Sequence, residues 1–219
     1  MASVASAYGF KPIGMIGGAP NNNSATREFK VVADTSAFYV GALIKISSAG
    51  LPSLVAASPV AQDLQATSVA GTAGTVGVCT GVRFIAPTSN QPMWAQTIPI
   101  NATTAGYKDI WVQVCEDPNA LFQIQGSAAL GTFNSGTAGS GWPGAIGKNA
   151  AVETFTGSAT TGLSGTKLTV GTDGASLAST TTLGFRIIDV VRGTESDAYP
   201  EFIVKFNVGV HSYQNALGI

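Results

Sequence analysis

Short segments in which apolar and polar residues alternate recur along much of the chain, and this period of two constrains the fold most. Residues 106–117 and 201–211 both place an apolar side chain at every second position over most of their length. Such alternation is typical of half-buried β-strands. Turn-forming residues such as Asp117-Pro118-Asn119 separate the alternating segments. The pattern predicts a mainly β fold, an antiparallel β-sandwich or barrel-like domain with an extended N-terminal arm and few short helices.

The same reasoning predicts individual elements. Residues 24–56 read as strands, the second of them Val40–Ile46, and residues 75–87 as a long strand whose glycines favour a bulge. Residues 106–117 and 121–125 form a predicted hairpin, and residues 183–211 supply two closing strands. In residues 57–67, Ser58 followed by Pro59 predicts a short capped helix.

Composition narrows the functional classes. Charged residues make up only 11% of the chain, the net charge is −1 and glycine occurs 27 times. Without a basic cluster that could displace counterions, we expect no nucleic-acid partner. The apolar stretch 38–46 is too short for a membrane span and contains Lys45, so we expect no membrane insertion. So low a charge suggests that much of the surface is covered in an assembly.

The first residues differ from the rest of the chain. Residues 1–23 mix Gly, Pro and Asn with large apolar groups and fit neither a helical nor a strand period. They are either a frayed terminus or an extended arm laid on a neighbouring molecule, and we predict the arm because aromatic anchors suit such a contact. A β-rich domain is predicted over residues 24–219, with a loop-heavy Gly/Ser/Thr-rich insertion at 126–182. The candidate interface residues are Tyr8, Phe10, Ile13, Met15 and Ile16.

No catalytic constellation stands out. His211 is the only histidine, and its place at the end of a β-segment predicts a strand-edge position. Cys79 and Cys115 have no metal-ligand spacing and are interpreted as buried thiols, with a disulfide as the alternative. The aromatic residues are few and spread, which argues against a stacked sugar-binding platform. We therefore predict no catalytic activity, no metal and no cofactor.

A series of short motifs also runs through the chain in a fixed order. The motifs are Tyr8-Gly-Phe-Lys-Pro12, Gly17-Gly18, Val40-Gly-Ala-Leu-Ile-Lys45, Gly77-Val-Cys-Thr-Gly-Val-Arg-Phe84, Trp111-Val-Gln-Val-Cys-Glu-Asp-Pro118, Leu121-Phe-Gln-Ile-Gln125, Ile146-Gly-Lys-Asn-Ala150, Thr161-Gly-Leu-Ser-Gly165, Leu183-Gly-Phe-Arg-Ile-Ile188 and Tyr199-Pro200 before a strand ending in His211. Taken together, the ordered set resembles a family of virion structural proteins of tailed bacteriophages, and it covers most of the chain.

The resemblance implies a capsid decoration, or cement, protein located on the outer surface of the virion. Its implied partners are the major capsid protein and further copies of itself, in a homotrimer around local symmetry axes. It would bridge capsomers and stabilise the icosahedral shell. Two alternatives stay open: another virion component, such as a head fibre, tail or adaptor protein, and a surface carbohydrate-binding β-module.

Overall fold

The computed structural model describes residues 5–17, 26–31, 37–46, 52–54, 75–132, 134, 140–153, 157–181, 183–208 and 210–214. The strands are β1 (Lys11–Met15), β2 (Thr26–Lys30), β3 (Phe38–Tyr39), β4 (Leu43–Ile46), β5 (Pro52–Leu54), β6 (Thr75–Ile85), β7 (Pro92–Ala95), β8 (Thr97–Ile98), β9 (Lys108–Cys115), β10 (Ala120–Gln125), β11 (Asn149–Glu153), β12 (Lys167–Thr169), β13 (Phe185–Val190) and β14 (Glu201–Phe206). The helices are α1 (Gly141–Ala145) and two 3₁₀ turns at Thr172–Gly174 and Ser212–Gln214.

The first sheet has six strands in the order β1-β10-β14-β13-β11-β12, and all neighbouring pairs are antiparallel. A bridge between Gly126 and Leu168, with the Ser127 N–H donating to the Leu168 carbonyl at 2.9 Å, joins the end of β10 to β12. The sheet therefore curls back on itself, which gives this half of the molecule a barrel-like form.

The second sheet has the order β2-β9-β6-β4-β5, and β7 pairs with the far part of β6. The register of β6 against β9 shifts between Cys79 and Gly81 and again between Arg83 and Ile85. The predicted bulge in the glycine-containing strand is thereby confirmed. A small separate ladder joins β3 to β8.

Two hydrophobic cores lie on opposite faces of the second sheet. The first core fills the concave face of the first sheet and also takes in Val78 and Cys115 from the second sheet. The second core lies on the other face of the second sheet, where Phe38 and Ile98 cover it. Aromatic rings dominate the first core, and burying each contributes about 1.5–3 kcal/mol. The largest of its fully buried side chains are Phe10, Phe122, Phe185, Phe202 and Phe206.

The two cysteines are buried thiols, as predicted. In the register of β6 against β9, Val78 lies opposite Cys115, whereas Cys79 lies opposite Val114. Cys79 belongs to the second core and Cys115 to the first, so their side chains leave the sheet on opposite faces and do not pair. Burial raises the pKa of Cys79 to about 12, which keeps this thiol protonated at neutral pH.

The mainly β fold with antiparallel sheets packed together is confirmed, but the predicted hairpin of residues 106–125 is wrong. The turn forms, with the Asn119 N–H donating to Asp117 Oδ1 at 2.7 Å. However, both edges of β9 are already occupied by β2 and β6, so β10 pairs with β1 and β14 in the other sheet.

Three further predictions differ from the structure or fall outside it. The single strand predicted at Val40–Ile46 is interrupted at Gly41, whose φ of +83° belongs to the left-handed region. Val208 is 71% exposed because β14 ends at Phe206, before the predicted end of that strand. The helix predicted at 57–67 lies outside the described residues.

The Gly/Ser/Thr-rich segment 126–182 contributes strands β11 and β12 to the first sheet. Its apolar residues divide between core and surface. Leu130, Val152, Leu168 and Val170 are buried, whereas Trp142 is 50% exposed. Among the described residues, no helix has the length and apolar character that a membrane crossing requires.

Candidate binding cleft beside the first strand

The segment with the predicted interface residues contains strand β1, which pairs with β10 at the edge of the first sheet. Its five candidate side chains have different environments. Phe10 is 1% exposed, Ile13 is 38% exposed and Ile16 is 47% exposed, while Tyr8 and Met15 are half-buried. The segment is extended, as predicted, but within the described chain it packs on its own domain instead of leaving it as an arm.

Phe10 is the clearest correction. Its ring packs at 4.6 Å from the Phe185 ring and edge-on at 5.9 Å from the Phe122 ring, inside the first core. Backbone contacts hold the segment there, because the Phe10 N–H donates to the Gly41 carbonyl at 3.0 Å. A core residue of its own chain is not available to anchor a neighbour, so the prediction that Phe10 is an interface residue is wrong.

Gly9 and Gly41 make this docking possible. Both have positive φ, +73° and +83°, and a Cβ on Gly9 would lie 2.5 Å from the Gly41 carbonyl oxygen. Only glycine combines this backbone conformation with so close an approach of two chain segments. The Tyr8-Gly-Phe and Val40-Gly-Ala motifs of the sequence therefore meet each other in space, which their separation along the chain did not indicate.

A cleft of about 710 Å³ opens between β1 and the second sheet. This volume falls in the range of small-ligand and side-chain pockets. Its lining combines apolar side chains with hydroxyl, amide and charged groups. The lining residues include Tyr8, Lys11, Ile13, Leu163, Gln123 and Glu201. Three of the predicted interface residues, Tyr8, Phe10 and Ile13, therefore border the cleft, although the Phe10 side chain is almost fully buried.

Glu201 interacts with two other polar residues of the lining, Gln123 and Tyr8. The Gln123 side-chain amide donates to Glu201 Oε2 at 2.5 Å, across the paired strands β10 and β14. Burial, followed by the charge of the neighbouring Glu201 carboxylate, raises the pKa of Tyr8. The Tyr8 hydroxyl therefore stays neutral well above physiological pH and can donate a hydrogen bond. Sequence reasoning missed Gln123 and Glu201, because only the strand register brings them to Tyr8.

The free edge of β1 carries features that discourage strand addition. Among the residues that the structure describes, no second strand pairs with β1 on its outer side. Pro12 lacks a backbone N–H, Lys11 adds an exposed charge, and the register shifts between Pro12 and Gly14. Proline, lysine and bulges are the means by which proteins protect edge strands from uncontrolled pairing. A partner at this edge would therefore be recognised through side chains rather than through a continuous backbone ladder.

His211 does not belong to any polar site. It is 0% exposed, forms a bridge with Thr75 and packs edge-on against the Phe206 ring at 5.1 Å. Its Nδ1 accepts the Tyr213 N–H at 3.2 Å. Burial lowers the pKa of His211, and nearby backbone carbonyls oppose that shift only in part. The predicted strand-edge histidine is thus a neutral core histidine. In the described part of the chain, no group of three or more His, Cys, Asp or Glu side chains is arranged to hold a metal ion.

The structure also corrects the view that aromatic residues are merely spread. Trp94 on β7 and Trp111 on β9 lie on one face of the second sheet, on either side of Arg83. The alternating pattern of β9 placed Trp111 on the face opposite Ile110, but no sequence signal showed that β6 and β7 would bring Arg83 and Trp94 beside it.

Comparison with protein-family models, with curated proteins and with solved structures finds no match to this chain.

Proposed function

We propose that this chain is a decoration protein of tailed-bacteriophage capsids. It binds the outer surface of the expanded icosahedral shell and stabilises the shell by bridging capsomers. The proposal rests on the ordered set of motifs that resembles such virion proteins, from Tyr8-Gly-Phe-Lys-Pro12 to Tyr199-Pro200. It is supported by a β-scaffold that carries an apolar contact surface at one edge.

The observation that carries the proposal is the exposure of Ile13 and Ile16 beside the cleft. These side chains are 38% and 47% exposed; Ile13 lies in edge strand β1, and Ile16 is the first residue after the end of that strand. Two exposed isoleucines in and directly after β1, next to a cleft of about 710 Å³, offer both a projection and a recess to a partner surface. In our proposal, a side chain of the major capsid protein enters the cleft while Ile13 and Ile16 pack on the capsomer.

Weak contacts of this kind become effective on a symmetric shell. A homotrimer presents three copies of the same edge, so the second and third contacts form at a high effective concentration. With charged residues at only 11% of the chain, broad surfaces can approach without desolvating many ions. The trimer is part of the proposal, and sedimentation equilibrium measures it directly.

The test is the binding of labelled protein to expanded capsid shells, measured by co-sedimentation. The variant Ile13→Ser/Ile16→Ser removes two apolar contacts, each worth about 1.5–3 kcal/mol when fully buried. We expect binding to weaken by at least about tenfold, since about 1.4 kcal/mol corresponds to a factor of ten. Deletion of residues 1–23 is unsuitable because it also removes Phe10 from the core.

The matched control is Ile100→Ser/Ile146→Ser, which alters two isoleucines of similar exposure, 54% and 39%, elsewhere on the surface. This control should bind shells like the native protein. Equal weakening by both double variants would contradict the proposed contact surface. Binding to isolated tails or connectors in preference to shells would reject the decoration role and favour one of the other virion roles.

A further inference from the structure

Four side chains form a continuous row across one face of the second sheet. Lys30 on β2 lies directly opposite Trp111 on β9, Trp111 lies opposite Arg83 on β6, and Arg83 lies opposite Trp94 on β7. The Arg83 guanidinium carbon is 5.4 Å from the Trp111 ring centroid and 5.9 Å from the Trp94 ring centroid. Lys30 Nζ lies 5.9 Å from the same Trp111 ring. Cations and indole rings thus alternate across four strands.

Two carboxylates hold the row in place. Arg83 forms ion pairs with Glu28 and Asp109, each at 3.4 Å. The Trp111 indole N–H donates to Asp109 Oδ1 at 2.8 Å. Asp109 has a φ of +48°, a left-handed conformation that is uncommon outside glycine and costs conformational energy. The face is therefore preorganised by specific contacts and contains a strained residue at its centre.

These contacts leave much of the Trp94 side chain exposed to solvent. Lys30 and Arg83 both lie over Trp111, whereas among the described residues Arg83 alone lies over the Trp94 ring, and Trp94 is 59% exposed. It sits on β7, a strand that pairs only with β6 within the described residues. Cation–π contacts at the surface explain the position of Trp111, but they do not explain why so large an apolar area of Trp94 remains in water.

The balance of positive and negative charges on this face indicates which class of ligand it can bind. Lys30 and Arg83 balance Glu28 and Asp109, so the row lacks the excess positive charge that a nucleic acid requires. Charged groups are depleted in the cores of protein interfaces, yet they make up most of this face. A neutral polyhydroxylated ring suits both features. Its C–H face packs on the electron-rich face of an indole, and its hydroxyls bond to carboxylate and guanidinium groups.

We propose that this face binds a neutral glycan, with Trp94 as the stacking platform and Arg83, Glu28 and Asp109 as hydrogen-bonding groups. This activity is distinct from shell binding, since none of the residues of the row and none of its carboxylates lines the cleft. On a decorated virion, the face would hold the particle to neutral polysaccharide.

The test is affinity electrophoresis of the full chain through gels that contain dextran, mannan or galactan, with heparin as a polyanionic comparison. We expect at least one neutral polysaccharide to retard the native protein. Trp94→Ala should weaken that retardation at least about tenfold. The matched control Trp142→Ala removes another half-exposed tryptophan, 50% exposed, and should be retarded like the native protein.

Thermal unfolding of each variant identifies any loss of fold, and Trp94→Phe gives a second substitution that keeps an aromatic face. We expect Trp94→Phe to retain most of the retardation. The proposal is overturned if no neutral polysaccharide retards the native protein, if Trp94→Ala behaves like native, or if heparin alone is bound. Loss of shell binding by Trp94→Ala, without any polysaccharide binding by the native chain, would instead assign this face to a protein partner.

Discussion

Phe10 tests directly whether the first segment belongs to the domain's own core. Its side chain is 1% exposed and lies between the rings of Phe122 and Phe185. Truncation in Phe10→Ala removes the transfer free energy of a buried aromatic ring and leaves a cavity in a core that cannot fully collapse. Such substitutions cost about 3–5 kcal/mol, and the lost edge-on and tilted ring pairs place this site in the upper part of that range.

The assay is urea unfolding followed by circular dichroism and tryptophan fluorescence, at several protein concentrations. We expect a lower midpoint with an unchanged slope, which is the signature of a loss of stability without a change in the surface exposed on unfolding. Ile13→Ala, at a position 38% exposed on the neighbouring strand, is the comparison and should cost about 1 kcal/mol or less.

Two results would refute this reasoning. A cost below about 1 kcal/mol for Phe10→Ala would mean that the ring is not part of the core. A cost that grows with protein concentration would mean that Phe10 packs on a neighbouring molecule, because only intermolecular burial depends on concentration.

Further predictions concern the backbone, a buried base and the thiols. Gly41→Ala should lower the free energy of unfolding by more than about 1 kcal/mol in urea titrations, because φ is +83° and the new Cβ would lie 2.6 Å from the Tyr8 carbonyl oxygen. The pKa of His211 is lowered in the folded state, so its contribution to stability is present above its unfolded pKa of about 6.5 and is lost as the pH falls through that value toward the folded pKa. The urea midpoint should therefore fall between pH 7.5 and pH 5.5 more steeply in the native protein than in His211→Phe, and equal slopes would argue against a neutral buried imidazole. Cys79 and Cys115 should be inert to a thiol reagent in the native protein and both reactive in urea. A disulfide detected by mass spectrometry after mild oxidation would contradict their placement on opposite faces of the sheet.

The sequence predicts the β-strands and their order along the chain where one face of a strand is buried. Alternation puts Ile110 and Val112 on one face of β9 and Val204 on one face of β14, and these residues are buried, whereas Val208, at the same spacing beyond the end of β14, is exposed. The glycines of β6, Gly77 and Gly81, also predicted a bulge in this strand, and the register of β6 against β9 does shift. These signals are local, since each depends on which face of a single strand meets the core.

The sequence does not predict which strands pair, because pairing depends on which strand edges are already occupied by other strands. The turn at Asp117 was predicted, but β10 crosses to the first sheet since β2 and β6 flank β9. For the same reason, Trp94 and Arg83 could not be assigned to one face with Trp111 from their positions along the chain.

By itself, the sequence determined the β character of the chain, its low charge and the apolar character of residues 8–16. Only the tertiary structure decided that Phe10 belongs to the core while Ile13 and Ile16 face outward. The physical reason is that two glycines with positive φ, Gly9 and Gly41, let the first segment approach the rest of the domain closely enough for the Phe10 N–H to bond to the Gly41 carbonyl. Close approach between distant segments is a property of the folded chain, and no local pattern encodes it.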